Sequence, residues 1–142
     1  MEVVWVATPK MGVFCSNSTP LIDGGTIYGN DCEVGCLRAV KLDTGERLWE
    51  TFQPTTGGPR GASHATAFLT KHGDRYFLFN ETGDLIIARL SPEKYEEISR
   101  AHLLEPTNEA FGRPVVWSHP AYANKCVFVR NDKEIVCASL EK

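Results

Sequence analysis

The chain carries the same set of short patterns three times, at an interval of about 50 residues, and this periodicity constrains the fold more than any other feature. A tripeptide that begins with serine, an Asn-acidic dipeptide and an alanine inside an apolar run follow one another in the same order each time. They begin at Ser18, Ser63 and Ser118, at Asn30, Asn80 and Asn131, and at Ala39, Ala88 and Ala138. Repetition with this period is typical of stacked or radial repeat architectures.

Each repeat is predicted to contain four short strands separated by tight turns. In the first repeat the turns fall at 23–25 and 43–46, where Asp and Gly supply the backbone conformations that hairpins need. The predicted units span residues 16–53, 62–105 and 115–142 of one domain that covers 1–142. The third unit stops before its fourth strand.

Strands in the second repeat are apolar on both faces, as in 76–79 and 85–88. Such strands are typical of sheets that are packed between two neighbours. Four-stranded antiparallel units at this spacing favour an all-β fold, specifically a β-propeller in which each repeat is one blade.

The first repeat resembles the PQQ-like, or quinoprotein-type, propeller repeat. Ala39, Gly45 after Thr44, and Trp49 carry this resemblance. It implies that Ala39 and Gly45 lie on the third strand and its turn, and that Trp49 on the fourth strand docks against the next blade. Lys41 stands where the family commonly has Asp, the second repeat lacks the Gly and the Trp, and the third retains only the alanine portion.

The N-terminal segment 2–8 resembles the fourth strand of the first repeat, with Trp5 at the place of Trp49. We therefore expect it to act as a closing strand that completes the third blade, although an unrelated cap is the alternative. Since propellers typically need about 4–8 blades, three blades predict a homodimer that forms a six-bladed ring. The alternatives are that the chain is a piece of a longer protein or an isolated half-propeller.

Composition argues against two classes of partner. The net charge of −3 and the absence of a basic cluster argue against a nucleic-acid surface, and no apolar run approaches the length of a membrane span. The first residues lack the features of a secretory signal. Proteins that carry the PQQ-like repeat are often exported to the bacterial envelope. The sequence therefore does not determine the cellular compartment of this protein.

Five cysteines leave at least one unpaired. Cys32 and Cys36 share a loop, but zinc needs further ligands that the spacing does not provide. Cys126 and Cys137 are predicted to lie opposite each other in a hairpin centred on 131–132. They would form either a disulfide or two buried thiols.

No catalytic motif is present, and the polar residues of most interest are His64 and His119, each of which directly follows a serine. In a propeller both would lie near the central channel, where imidazoles suit zinc, copper, iron or nickel. The alternative is that each histidine hydrogen-bonds the backbone of a neighbouring blade.

The family resemblance also raises a quinone-dependent oxidoreductase, which would hold pyrroloquinoline quinone with calcium. Such enzymes use two adjacent cysteines over the cofactor, and no cysteines are adjacent here. We therefore expect no cofactor. The sequence favours a non-catalytic binding or assembly scaffold, with a quinone- or metal-dependent oxidoreductase fragment as the alternative function.

Overall fold

The computed structural model describes residues 1–141, which form thirteen strands and no helix. Sheet one contains β1 (Leu21–Asp23), β2 (Thr26–Asp31), β3 (Cys36–Lys41) and β4 (Arg47–Thr51). Sheet two contains β5 (Ala67–His72), β6 (Arg75–Asn80), β7 (Asp84–Leu90) and β8 (Tyr95–His102). A hairpin of β9 (Asn108–Ala110) and β10 (Arg113–Val115) precedes sheet three, which contains β11 (Ala121–Ala123), β12 (Cys126–Arg130) and β13 (Ile135–Ser139).

Every strand pair is antiparallel, and within each sheet the strands follow one another in chain order. The prediction of an all-β chain built from antiparallel sheets is confirmed. Within the described residues, no helix could cross a membrane. Lys142, the last residue of the predicted third unit, lies outside the described part of the chain.

The turn chemistry predicted for the first repeat is present between β1 and β2. Gly24 and Gly25 have φ values of 54° and 80°, and Asp23 pairs with Thr26 across the turn. A two-residue loop with positive φ at both positions matches the twist of the strands that it joins. Glycine adopts this conformation without steric cost, so the sequence itself places the hairpin.

Sheet two is covered on both faces, as predicted from its apolar strands. On one face it packs against sheet one, and on the other against sheet three. The first interface is built from Tyr28, Leu37, Ala39, Ala67, Tyr76, Leu78, Ile86, Ala88 and Leu90. The second is built from Phe68, Phe79, Leu85, Leu104, Val116, Val127 and Val129.

The alanine repeat is one residue out of register in sheet two. Ala39 faces sheet two from β3, whereas Ala88 faces sheet one from β7, so both lie in the same interface. A β-bulge lies between Ala39 and Val40 in sheet one and between Ile87 and Ala88 in sheet two. The structural counterpart of Ala39 is therefore Ile87, because a shift of one residue moves a side chain to the opposite face of a sheet.

The two fourth strands align in the same way. Trp49 pairs with Ala39, and Ser99 pairs with Ile87. Ser99 is thus the counterpart of Trp49 in sheet two.

A charge pair on each fourth strand supports this alignment. In β4, Arg47 Nη1 lies 2.7 Å from Glu50 Oε2, and in β8, Arg100 Nη2 lies 3.0 Å from Glu97 Oε2. Both pairs join residues three positions apart, with the order of the charges reversed.

The third sheet departs from the prediction. It has three strands, and no strand is assigned to residues 1–8 within the described chain. Residues 2–8 therefore do not close sheet three within this chain. The β9–β10 hairpin was not predicted. Its turn contains Phe111 with a φ of 51°, and Phe is not a residue from which a positive φ is expected.

Candidate functional site

The two histidines predicted as metal ligands have different surroundings. His64 is half-buried, its Nδ1 lies 3.2 Å from Ser16 Oγ, and its ring stacks on Phe111 with the centroids 4.5 Å apart. His119 is exposed and packs against the ring of Phe68, with the centroids 4.2 Å apart. In the described residues, no group of three or more His, Cys, Asp or Glu side chains is placed to hold a metal.

A buried carboxylate that the sequence analysis did not single out lies close to His64. Glu81 is 2% exposed, and Arg113 binds it through two contacts, of 2.7 Å from Nε and 3.2 Å from Nη2. The indole N–H of Trp117 donates to the same carboxylate at 2.9 Å. Arg113 also donates to the carbonyl of Ser63 at 2.8 Å, so this group joins sheet two to the β9–β10 hairpin.

Aromatic rings cover this ion pair. The ring of Phe111 is 63% exposed and lies 6.2 Å from the ring of Trp117 and 6.0 Å from the guanidinium of Arg113. Phe111, Trp117 and Arg113 form one surface together with His64. The only signal for this surface in the sequence is Glu81, a charged residue next to a buried strand. Arg113 and Trp117 both donate hydrogen bonds to the carboxylate of Glu81. The main effect of Glu81 is therefore to fix the β9–β10 hairpin rather than to transfer protons.

Two of the residues that carry the family resemblance, Ala39 and Trp49, lie in the first interface. Ala39 is fully buried. Trp49 is half-buried, its ring lies 6.0 Å from that of Tyr28, and its indole N–H donates to the carbonyl of Ser91 at 2.8 Å. Trp49 thus connects sheet one to the turn between β7 and β8, which is the inter-sheet contact that the resemblance implied.

Gly45 and Trp5 form a second contact of the same kind. Gly45 has a φ of 72°, and a Cβ at this position would lie 2.6 Å from the Trp5 ring. The indole N–H of Trp5 donates to the carbonyl of Leu42 at 2.8 Å. Trp5 therefore docks on the turn between β3 and β4 of sheet one, and not on sheet three as expected for a closing strand within this chain.

The predicted opposition of Cys126 and Cys137 is wrong. Cys126 pairs with Ser139 and Cys137 pairs with Phe128, so the hairpin is shifted by one position on each strand. All five cysteines are free in the described structure. Cys137 is opposite Phe128, two positions from Cys126 on the same strand, so both sulfurs lie on the same face of the sheet. Burial and the neighbouring Cys137 thiol raise the pKa of Cys126.

No protein-family model matches this chain, and no curated protein matches it. The likeness to the PQQ-like repeat therefore rests on the sequence positions of Ala39, Gly45 and Trp49 alone.

Proposed function

We propose that this protein is a non-catalytic binding or assembly scaffold of the PQQ-like β-propeller type. In this proposal sheets one, two and three are blades, and two chains form one six-bladed ring. Such a scaffold holds partners and does not transform a substrate. Its binding surface is therefore the ring itself.

The contact of Trp5 is the observation that carries this proposal. Trp5 donates to Leu42 in the turn after β3, and Trp49 donates to Ser91 in the turn after β7, both at 2.8 Å. Trp5 therefore contacts sheet one in the same way that Trp49 contacts sheet two. This position supports the assignment of residues 2–8 to the fourth strand of a blade that precedes sheet one.

Sheet three offers the complementary feature. It ends at β13, with no fourth strand in the described chain, so one side of β13 has unpaired backbone groups. An open edge of this kind favours pairing with another strand. Val3, Val4 and Val6 are 75%, 81% and 84% exposed, and apolar β-formers left in water favour the same outcome.

The mass of the protein in solution tests this proposal. If the ring forms, light scattering on a size-exclusion column gives twice 15.8 kDa, and the midpoint of unfolding rises with protein concentration. A stable 15.8 kDa monomer at micromolar concentration would contradict ring closure.

Two proline variants test the strand itself. Along an edge strand only alternate amides bond to the neighbouring strand, so Val3→Pro and Val4→Pro remove amides that point in opposite directions. One variant should weaken the dimer at least tenfold, and the other is its matched control. Equal dimer affinities for both variants and the natural chain would refute pairing by residues 2–8.

The alternative function, a quinone- or metal-dependent oxidoreductase fragment with its site in a central channel, stays a hypothesis.

A further inference from the structure

A cavity of about 710 Å³ lies between sheets two and three. Phe77 and Ile87 line it from sheet two, and Tyr122, Leu140 and Glu141 line it from the last part of the chain. The volume falls within the range of about 300–1,000 Å³ that is typical of small-molecule pockets.

The corresponding place in the first interface is filled by a side chain. Tyr28 pairs with Ala39 on the face of sheet one that meets sheet two, and Phe77 pairs with Ile87 on the face of sheet two that meets sheet three. In the first interface, the indole of Trp49 lies beside Tyr28 and donates to a backbone carbonyl of the next sheet.

In the second interface this indole is missing. The counterpart of Trp49 is Ser99, whose hydroxymethyl group cannot occupy the volume of an indole. The cavity beside Phe77 and Ile87 therefore includes the place that the Trp49 indole fills in the first interface.

The walls of the cavity suit a flat aromatic ring. The rings of Phe77 and Tyr122 stack with centroids 5.3 Å apart, and the rings of His72 and Phe77 stack at 5.7 Å. Stacked aromatic pairs contribute stability beyond that of the area that they bury.

A backbone acceptor lies where the first interface uses one. Trp49 donates to the carbonyl of Ser91, which is the first residue after β7. Leu140 is the first residue after β13, and it lines the cavity. The backbone at Leu140 is therefore the counterpart of the carbonyl to which the Trp49 indole donates.

We propose that this cavity binds a small indole compound, a flat aromatic ring that carries one N–H donor. The ring packs against Phe77 and Ile87 in the place that Trp49 holds one sheet earlier, and its N–H donates to a backbone carbonyl at Leu140 or Glu141. This site does not depend on ring closure, because all its lining residues come from one chain.

The test is a titration of the full chain with indole, followed by amide chemical shifts. We expect saturable shifts at Phe77, Ile87, Tyr122 and Leu140. Indene has the same shape without the N–H and should bind at least threefold more weakly. Absence of saturation up to the solubility limit of indole, or shifts that centre on another surface, would overturn the proposal.

Variants distinguish filling of this site from binding elsewhere. Ser99→Trp supplies the missing indole and should weaken indole binding at least tenfold, while Lys133→Trp, in an exposed turn outside the cavity, should leave it unchanged. Should Ser99→Trp fail to fold, Phe77→Leu removes the aromatic wall of the cavity and should weaken the binding of both indole and indene. Unchanged indole affinity in Ser99→Trp or in Phe77→Leu would refute the assignment.

Discussion

Glu81 and Arg113 form a two-contact ion pair, with oxygen–nitrogen distances of 2.7 and 3.2 Å, between the end of β6 and the start of β10. The side chain of Glu81 is 3% exposed and that of Arg113 is 22% exposed. The carboxylate is therefore desolvated and depends on its partner. The pair fixes the β9–β10 hairpin, and with it the exposed ring of Phe111, on the second sheet.

Removal of either partner should destabilise the fold. Since truncating one member of a buried pair costs about 3–5 kcal/mol, we expect Glu81→Ala to lower the free energy of unfolding by about 3 kcal/mol in urea titrations. Arg113→Ala should be similar, and the double variant should cost less than the sum. Strict additivity would contradict the pair. Lys94→Ala, which removes an exposed ion pair, is the control and should change stability by less than about 0.5 kcal/mol.

Trp49 should contribute strongly to stability through its contacts with the second sheet. Truncation of a buried Trp costs about 3–5 kcal/mol, and because Trp49 is half-buried we expect Trp49→Ala to cost about 3 kcal/mol. Trp49→Phe retains the stacking on Tyr28 and loses the hydrogen bond to Ser91, which is worth about 1 kcal/mol. Thermal unfolding that is unchanged in Trp49→Ala would show that the docking contact carries no stability.

Gly45 and Gly57 offer a matched comparison of backbone strain and contact. Their φ values are 72° and 71°, but a Cβ at Gly45 would meet the Trp5 ring at 2.6 Å, while nothing lies within 4 Å of one at Gly57. Gly57→Ala should cost about 1 kcal/mol from the backbone alone, and Gly45→Ala should cost more. In a Trp5→Ala background the two costs should become equal. If the difference persists there, Trp5 is not its cause.

The contribution of His102 to stability should depend on pH. The hydrogen bond that His102 Nδ1 donates to Asp84 Oδ1, at 2.9 Å, raises the pKa of His102, and burial opposes this only in part. Burial alone would raise the pKa of Asp84, but the bonds from His102 and Arg100 outweigh it and lower that pKa.

A histidine whose pKa is raised by folding stabilises the fold at pH values below its pKa in the unfolded state. This stabilisation is lost as the pH rises through the pKa in the folded state. The difference in unfolding free energy between the natural chain and His102→Gln should therefore be larger at about pH 5.5 than at about pH 8.5, on either side of the ordinary histidine pKa. Equal differences at both pH values would contradict this coupling.

Added pyrroloquinoline quinone with calcium should not shift the melting temperature, and no dye-linked alcohol oxidation should appear. The expectation rests on the sequence, in which no two cysteines are adjacent to cover such a cofactor. Calcium without the quinone is the control. A saturable stabilisation by the quinone, as mass action gives for a ligand of the folded state, would place the oxidoreductase hypothesis ahead of the scaffold.

The sequence was sufficient to predict the strands of the first two sheets, because glycine turns and apolar runs are local signals. The registers between repeats were less predictable. The Asn repeat illustrates this. Asn80 and Asn131 each accept backbone N–H bonds within their own hairpins. In the first sheet, Asp31 accepts the corresponding bond, from the N–H of Val34. The equivalent of Asn80 is therefore Asp31, and the neighbouring Asn30 bonds to sheet two instead.

The rest of the candidate site depends on contacts between residues that are distant in the chain. Arg113 is separated from Glu81 by 32 positions, and no short motif connects them. The turn at Phe111 and Gly112 lacks the Asn or Asp that predicts a hairpin of this type. The β9–β10 hairpin could therefore not be predicted from its turn residues. His64 and His119 follow similar tripeptides, but the surrounding rings, rather than the tripeptides, determine what each contacts.

The reversed charge pairs on β4 and β8 have a consequence for how such repeats can exchange sequence. Each pair also reaches the third strand of its own sheet, since Glu50 Oε2 lies 3.2 Å from Arg38 Nε and Arg100 Nη1 lies 2.9 Å from Asp84 Oδ2. Transfer of residues 97–100 into the first sheet would place an arginine beside Arg38, and the reverse transfer would place a glutamate beside Asp84. An exchange that keeps opposite charges together therefore has to carry the third strand along with the fourth, so electrostatics favours exchange of whole β3–β4 and β7–β8 units over exchange of shorter segments.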